Sequence, residues 1–508
     1  MLIVISVLCY ALLAAAAPEV QLGKKLIGRD VTGLQQEFFG GIPFAEPPVG
    51  ALHLQRPVLK TDIDADEFDA QDFGLPCLQR FYTNGGNNRD AISEDCLTIN
   101  IFRPMGASSE NPLPVLLWTY RGGFFAGASS SFDGSNIVAQ SVTRGTPIIY
   151  VNRNYRIGPL GFPQGQEADD RGKLNLGVRD QLAALEWVQE NIGFFGGLNN
   201  GAGAMLTNLL FLNTSVSNLA RAAIFESGSV SSPVTYNAST RESAWQNFVA
   251  GTRCESVAGT QNTFDCLQAA NSSAIYEGFV EAYALAIEGF PFDPALDGPS
   301  GLLPDLPSRL WAKGEFATLH FISGTNLDEA TPTRTSRITA TYSPFPPTIP
   351  DAILERLLEL YPDDPSFGSP YGTENETFGL PSGFKRTAVQ AGVKAYGYQF
   401  TQNSSLYLSE WGVPHGSEIL FIYGTLHSST EPESSILLGE MMVDYWVSFA
   451  TSLDPNDGLG MSRPFWQQYT PEDGVLLHLH GDNTTVIPDD YRKEQIDFIR
   501  DDAEVSSR

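Results

Sequence analysis

With 508 residues, 42% of them hydrophobic, and 48 Gly and 33 Pro, the chain has the composition of a folded protein with a large core and many loops. Its 59 acidic residues against 31 basic give a formal net charge of −28, which argues against nucleic acid or an anionic membrane surface as a partner. No internal repeat and no low-complexity tract interrupts it.

Met1–Ala17 reads MLIVISVLCYALLAAAA, an apolar run that closes on small residues before Pro18. That is the shape of a secretory signal peptide cleaved near Ala16 or Ala17. The run is short for a membrane span, and no stable membrane anchor is expected. Secretion agrees with the cysteines. Cys9 falls inside the signal, which leaves Cys77, Cys96, Cys254 and Cys266 for an oxidising compartment. Four cysteines allow three connectivities. Cys77–Cys96 and Cys254–Cys266 close the shortest loops and are the expected bonds; zinc ligation is the rival, but neither spacing resembles a zinc motif. Six N-x-S/T sequons, at Asn213, Asn237, Asn271, Asn375, Asn403 and Asn483, support glycosylation.

Beyond the signal, Pro114–Tyr120 (PVLLWTY), Pro147–Val151 (PIIYV), Arg221–Glu226 (RAAIFE) and His320–Ser323 (HFIS) are nearly continuous apolar runs. Strands buried on both faces of a parallel sheet look like this. Between the second and third, Val178, Leu182, Leu185, Val188 and Ile192 form one helical stripe, with Arg179, Asp180 and Glu186 elsewhere. Ile436–Ala450 is a second helical pattern, carrying Leu437, Met441, Tyr445 and Phe449. The alternation predicts an α/β protein with a central, mostly parallel sheet flanked by helices. No linker divides the chain, so residues 18–508 read as one large domain.

Glu94–Pro104 reads EDCLTINIFRP and resembles the second signature of type-B carboxylesterases and lipases, with its cysteine as one half of a disulfide. Phe39–Gly50 (FGGIPFAEPPVG), Val151–Phe162 (VNRNYRIGPLGF), Leu174–Gly197 (LNLGVRDQLAALEWVQENIGFFGG) and Met442–Asn456 (MVDYWVSFATSLDPN) resemble further blocks of that family, in family order. The nearest look is of fungal secreted members. The resemblance implies the α/β-hydrolase fold and a serine hydrolase that cleaves small-molecule or lipid esters through an acyl-enzyme, without metal or organic cofactor. The family also includes non-catalytic adhesion proteins, so the fold alone does not give the function.

Such chemistry needs a nucleophile, a base, an acid that orients the base, and backbone donors for the oxyanion. Gly412–Gly424 (GVPHGSEILFIYG) is similar to the family's histidine loop, which makes His415 the expected general base. His53, His320 and His427 lie in no such context. His478 and His480 alternate on a predicted strand, but a metal pair there lacks a third ligand nearby. The acid implied by the resemblance is Glu329, within GTNLDEATPT, with Asp328 beside it as competitor. The oxyanion loop is Tyr120-Arg121-Gly122-Gly123-Phe124. Gly122 and Gly123 are the expected donors, and Arg121 stands where the family usually has its first glycine.

The nucleophile is the exception. No G-x-S-x-G occurs anywhere in the sequence. Where the family carries its elbow, Gly193–Leu210 reads GFFGGLNNGAGAMLTNLL, with only Leu198, Asn199 and Asn200 between the upstream and downstream blocks. Aligned on the downstream block, Gly201 takes the serine position and Ala202 that of the third oxyanion donor. Three residues extend about 10 Å, too little for a feeder strand of ordinary length. A short central strand, or unwinding of the preceding helix, is therefore expected. A missing sequence segment, true loss of catalysis with a retained binding role, and substitution by Ser215, Ser217 or Ser227 are the three explanations. The first is favoured, because base, acid and donor loop all remain recognisable. The short, polar loop between Cys77 and Cys96 favours a carboxylesterase over an interfacial lipase.

Overall fold

The computed structural model describes residues 17–31, 33–60, 62–79, 91–199, 202–205, 214–228, 236–286, 291–329, 392–407, 411–470 and 472–490, with a few isolated positions besides. The signal-like segment to residue 16, most of the Cys77–Cys96 loop, Gly201, Asn213 and Asn375 lie outside them.

An eleven-stranded sheet organises the chain. Its strands, in sequence order, are β1 (Arg29–Val31), β2 (Gln36–Pro43), β3 (Thr98–Pro104), β4 (Val115–Trp118), β5 (Ile149–Arg153), β6 (Ala202–Met205), β7 (Ala220–Glu226), β8 (His320–Asn326), β9 (Ala395–Phe400), β10 (Val475–Leu479) and β11 (Thr485–Pro488). Across the sheet they run β11-β10-β9-β8-β7-β6-β4-β5-β3-β2-β1. Every pairing from β5 to β10 is parallel. The strands added at either end are antiparallel. The four apolar runs fall on β4, β5, β7 and β8. Every residue of β4 and β5 is buried, as expected for strands covered on both faces.

The main helices are α1 (Ser135–Thr143), α2 (Leu176–Asn191), α3 (Ser272–Leu285), α4 (Glu418–Ile422) and α5 (Glu433–Ser452). Both helical patterns form, but each buries more than its stripe. In α2, Asp180 is fully buried along with Val178, Leu185 and Val188. It is tolerated because Arg156 grips it with Nε at 2.9 Å and Nη2 at 2.7 Å. In α5 the expected Leu437 is 42% exposed, and its neighbour Leu438 is buried instead. Helix α5 packs against α1 and against the central strands β4 and β6. Both expected disulfides are present, Cys77–Cys96 and Cys254–Cys266.

Strand β6 answers the geometric problem posed by the short connection. Helix α2 keeps its full length to Asn191 and ends in a 3-10 turn over Ile192–Phe195. The chain then docks at once on the start of β4, with Leu198 N donating to Leu113 O at 2.8 Å. The place between β4 and β7 is filled by Ala202–Met205, only four residues long. Of the two expected outcomes, the helix does not unwind and the central strand is short.

Candidate active site

Strand ends position the polar residues. Beyond β8 the chain turns, and Asp328 and Glu329 follow Asn326 within three residues. The loop carrying His415 is laid alongside this turn by two backbone-level contacts. Asp328 N donates to Val413 O at 3.0 Å, and Asn326 Nδ2 donates to Pro414 O at 3.0 Å.

On that frame His415 Nδ1 lies 2.6 Å from Glu329 Oε2. The second Glu329 oxygen, Oε1, accepts the Asn326 backbone N–H at 2.7 Å, which fixes the carboxylate in rotation. Asp328 is turned away: it is buried, and its Oδ2 accepts the Val413 N–H at 2.8 Å. The hydrogen bond to Glu329 raises the His415 pKa above its ordinary 6.5, against the opposing effect of burial. An imidazole held this way has its Nδ1 committed and its tautomer set, which leaves Nε2 for proton transfer.

The donor loop follows β4. Tyr120 is buried and stacks on Tyr155 with ring centroids 4.6 Å apart. Gly122 has φ +135°, and a Cβ there would fall 1.8 Å from Ala126 O, so no other residue fits. Gly123 also has positive φ, +58°. The loop folds back on itself through Phe125 N and Ala126 N, both donating to Gly122 O. Gln79 clamps its far end at Gly127, in both directions, at 2.8 and 2.9 Å. The N–H groups of Gly122 and Gly123 have no acceptor among the described residues. Arg121 reaches across to the histidine loop, its Nη1 3.5 Å from His415 O.

Ala202 is not where the sequence alignment put it. It opens β6 opposite Ala220, three residues before Met205, which is level with Trp118. That is about 10 Å up the strand from the edge where the donor loop begins. The sheet requires a strand between β4 and β7, and the small residues Ala-Gly-Ala are drawn into that place. Ala202 therefore cannot serve as the third donor in this arrangement.

Of the rival serines, Ser215 and Ser217 lie in the 3-10 turn Thr214–Asn218, before the start of β7 and at the opposite end of the strand from His415. Ser227 follows the right end of β7, with φ +53°. Its Oγ is turned inward, donating to Glu418 Oε1 at 3.3 Å.

The sequence reading missed this inner layer. Glu418, three residues after His415, is buried and also accepts from Asn326 Nδ2. Glu226, at the end of β7, accepts the Trp446 indole N–H at 2.6 Å through Oε1, while its Oε2 is buried with no hydrogen-bond partner among the described residues. Burial and the neighbouring Glu418 charge raise the Glu226 pKa well above the carboxylate range; burial likewise raises that of Glu418. A carboxylate three positions after the histidine was the available signal.

Among the other histidines, His53, His320, His478 and His480 have partners for their rings. His53 pairs with Glu94 in the interior. His478 contacts Thr401 Oγ1 at 2.7 Å and Asn483 O at 3.1 Å. No cluster of three or more His, Cys, Asp or Glu that could hold a metal occurs among the described residues. No helix among them is long and apolar enough to cross a membrane.

Known proteins resemble this chain over nearly its full length. The profile of the carboxylesterase family matches residues 19–343 and 377–499. Lipase 1 of Geotrichum candidum is 30% identical over 561 aligned positions, covering 96% of this chain and 96% of the relative. Secreted lipase 1 of Botryotinia fuckeliana is 31% identical over 554, covering 96% and 93%. Among solved structures, Aspergillus niger EstA superposes with a TM-score of 0.82 at 23% identity, over 97% of this chain and 99% of that one, which shows the α/β-hydrolase fold.

Proposed function

The chain belongs to the carboxylesterase family, and from that premise we propose that its site is the acid–base and oxyanion-binding half of a secreted carboxylic ester hydrolase whose nucleophile segment is absent from this sequence. The observation that carries the reading is the 2.6 Å contact between His415 and Glu329. The histidine loop meets, through Arg121, the loop that carries the Gly122 and Gly123 N–H groups, which have no acceptor among the described residues. In such a site His415 takes the proton of a nucleophilic hydroxyl and returns it to the leaving alcohol. Glu329 stabilises the imidazolium, and the glycine N–H groups meet the developing oxyanion. No metal or organic cofactor enters this scheme.

A missing segment also fits the alignments. They run to 561 and 554 positions against a chain of 508, so each relative has residues with no counterpart here. The names of those relatives point to lipid esters as the substrate class. Secretion rests on the signal-like start, the two disulfides, and the exposure of the described sequon residues Asn237, Asn271, Asn403 and Asn483. The second reading, an inactive esterase-like binding protein, is favoured by one observation: β6 is already occupied by Ala202–Met205 in a continuous sheet.

Fluorophosphonate labelling of the purified chain, alongside turnover of short-chain esters, tests the proposal. The expected result is neither labelling nor turnover. Covalent labelling mapped to Ser215, Ser217 or Ser227 would show a substitute nucleophile and overturn it.

A further inference from the structure

The glycines that let the donor loop come close to a ligand also leave its peptides free to turn over, because glycine adopts either sign of φ at little cost. Gly122, Gly123 and Gly127 have φ of +135°, +58° and +130°. A trans peptide is planar, so its N–H points opposite to the C=O of the preceding residue. Where the carbonyls of Arg121 and Gly122 are held therefore decides where the Gly122 and Gly123 N–H groups point.

Gly122 O is held by the loop itself, accepting from Phe125 N at 3.1 Å and from Ala126 N at 3.2 Å. Arg121 O accepts no hydrogen bond among the described residues. Gly127 backs it instead: a Cβ there would fall 2.7 Å from Arg121 O and 2.5 Å from Tyr120 Cδ2. Gly127 is kept in place by the buried side-chain amide of Gln79, whose Nε2 donates to Gly127 O at 2.8 Å and whose Oε1 accepts from Gly127 N at 2.9 Å. The same Nε2 donates to Cys77 O at 3.0 Å, and Cys77 is bonded to Cys96 just before β3. Gly158 N also ties the loop, to Phe124 O at 2.7 Å, but that bond holds neither of the two carbonyls.

We propose that Gln79 is a positioning residue for the oxyanion donors: through Gly127 it keeps the Arg121–Gly122 peptide from turning over, and the Cys77–Cys96 disulfide anchors it for that task. The proposal rests on reading this loop as the oxyanion loop of an ester-hydrolysing site. Without the clamp, Gly127 withdraws and the peptide is free to rotate. A turned peptide presents the Arg121 carbonyl where the Gly122 N–H stood, which replaces a donor by an acceptor and repels an oxyanion.

Arg–Gly occurs three times in the chain, at Arg121–Gly122, Arg144–Gly145 and Arg171–Gly172. Labelling the full chain with carbonyl-13C arginine and 15N glycine therefore makes a carbon-detected NMR correlation of this peptide with two internal controls. Gln79→Met keeps the length of the side chain and removes its three hydrogen bonds. The Arg121–Gly122 signal should shift or split in it, and the other two should stay where they are. Gln79→Glu should show the same change at pH 8 and revert toward the unaltered signal at pH 5. A protonated carboxyl donates to Gly127 O and accepts from Gly127 N as the amide does, whereas a space-filling role would not follow that proton. An Arg121–Gly122 signal unmoved in Gln79→Met, equal movement of all three signals, or a Gln79→Glu signal independent of pH overturns the proposal. The ester-site reading does not move with these signals, since fluorophosphonate labelling judges it separately.

Discussion

Asp328 and Glu329 are adjacent in sequence and work on opposite sides of one loop. Glu329 Oε2 lies 2.6 Å from His415 Nδ1, whereas Asp328 Oδ2 accepts the Val413 N–H at 2.8 Å. One carboxylate addresses the imidazole, and the other holds the backbone that presents it. Successive residues leaving a strand end point to different sides, so two acids in a row cannot share one task here.

Substitution at the two positions should separate these roles. The hydrogen bond from Glu329 raises the His415 pKa. The stability it contributes is present below the unfolded histidine value near 6.5 and is lost as pH rises through the folded one. An NMR titration should place His415 above 6.5 in the unaltered chain and shift it downward in Glu329→Gln. Asp328→Asn should leave the titration raised while lowering the melting temperature, because Val413 loses a charged acceptor. Equal shifts from both substitutions would mean that the carboxylate pairing is misassigned.

Glu226 offers a pH-dependent stability test away from His415. Its Oε2 is buried without a hydrogen-bond partner among the described residues, and burial raises its pKa well above the ordinary 4.5. A carboxyl raised on folding stabilises fully below its unfolded value, and that contribution is lost as pH rises toward the folded value. Glu226→Gln can keep the Trp446 hydrogen bond to Oε1 and does not ionise. Its melting temperature relative to the unaltered chain should therefore be higher at pH 8 than at pH 5. A difference independent of pH would sink this account.

Arg153 is a buried cation with poor satisfaction. It is fully buried in β5 and donates through Nη1 to Trp118 O at 3.0 Å, while Nε and Nη2 have no hydrogen-bond partner among the described residues. Burial lowers its pKa to about 10. Replacing such a group with an apolar one of similar length is commonly neutral or stabilising by about 1–4 kcal/mol. Arg153→Met should accordingly match or exceed the unaltered chain in urea denaturation. A loss greater than about 2 kcal/mol would mean that the guanidinium is well compensated.

How much of this could be read from the sequence follows from how local each signal was. The apolar runs gave β4, β5, β7 and β8, because strands buried on both faces have no choice of composition. The histidine loop and the two disulfide pairings were equally local. Asp180 and Leu437 were misplaced because a helical stripe records only one face, while α2 and α5 are buried on more than one. Asn326, Glu226 and Glu418 form a layer assembled from three distant segments; the spacing from His415 could flag Glu418, but no spacing in the sequence joins the three. Ala202 was misplaced for a different reason. Alignment assigns residues by likeness to their neighbours, but the sheet assigns them by which strand position must be filled.

That competition for β6 gives the last prediction. Removing the nucleophile of a comparable triad costs on the order of 10⁶ in kcat, and the residual catalysis depends on an intact oxyanion hole. Here the third donor is displaced as well, so ester turnover by the chain as it stands should be at background. Inserting a five- or six-residue strand and a G-x-S-x-G turn between Leu198 and Ala202 should let the new strand pair with β4 and β7 and expel Ala202–Met205 toward the donor loop. Two measurements follow the exchange. Fluorophosphonate labelling should appear at the inserted serine, and it should vanish again with His415→Ala. Hydrogen exchange at the amides of Gly203–Met205, slow while they belong to the parallel ladder, should change its pattern as they leave it. An insertion that folds, leaves that exchange pattern untouched and gives no labelling would mean that β6 has settled permanently on Ala202–Met205. The binding-protein reading would then replace the esterase one.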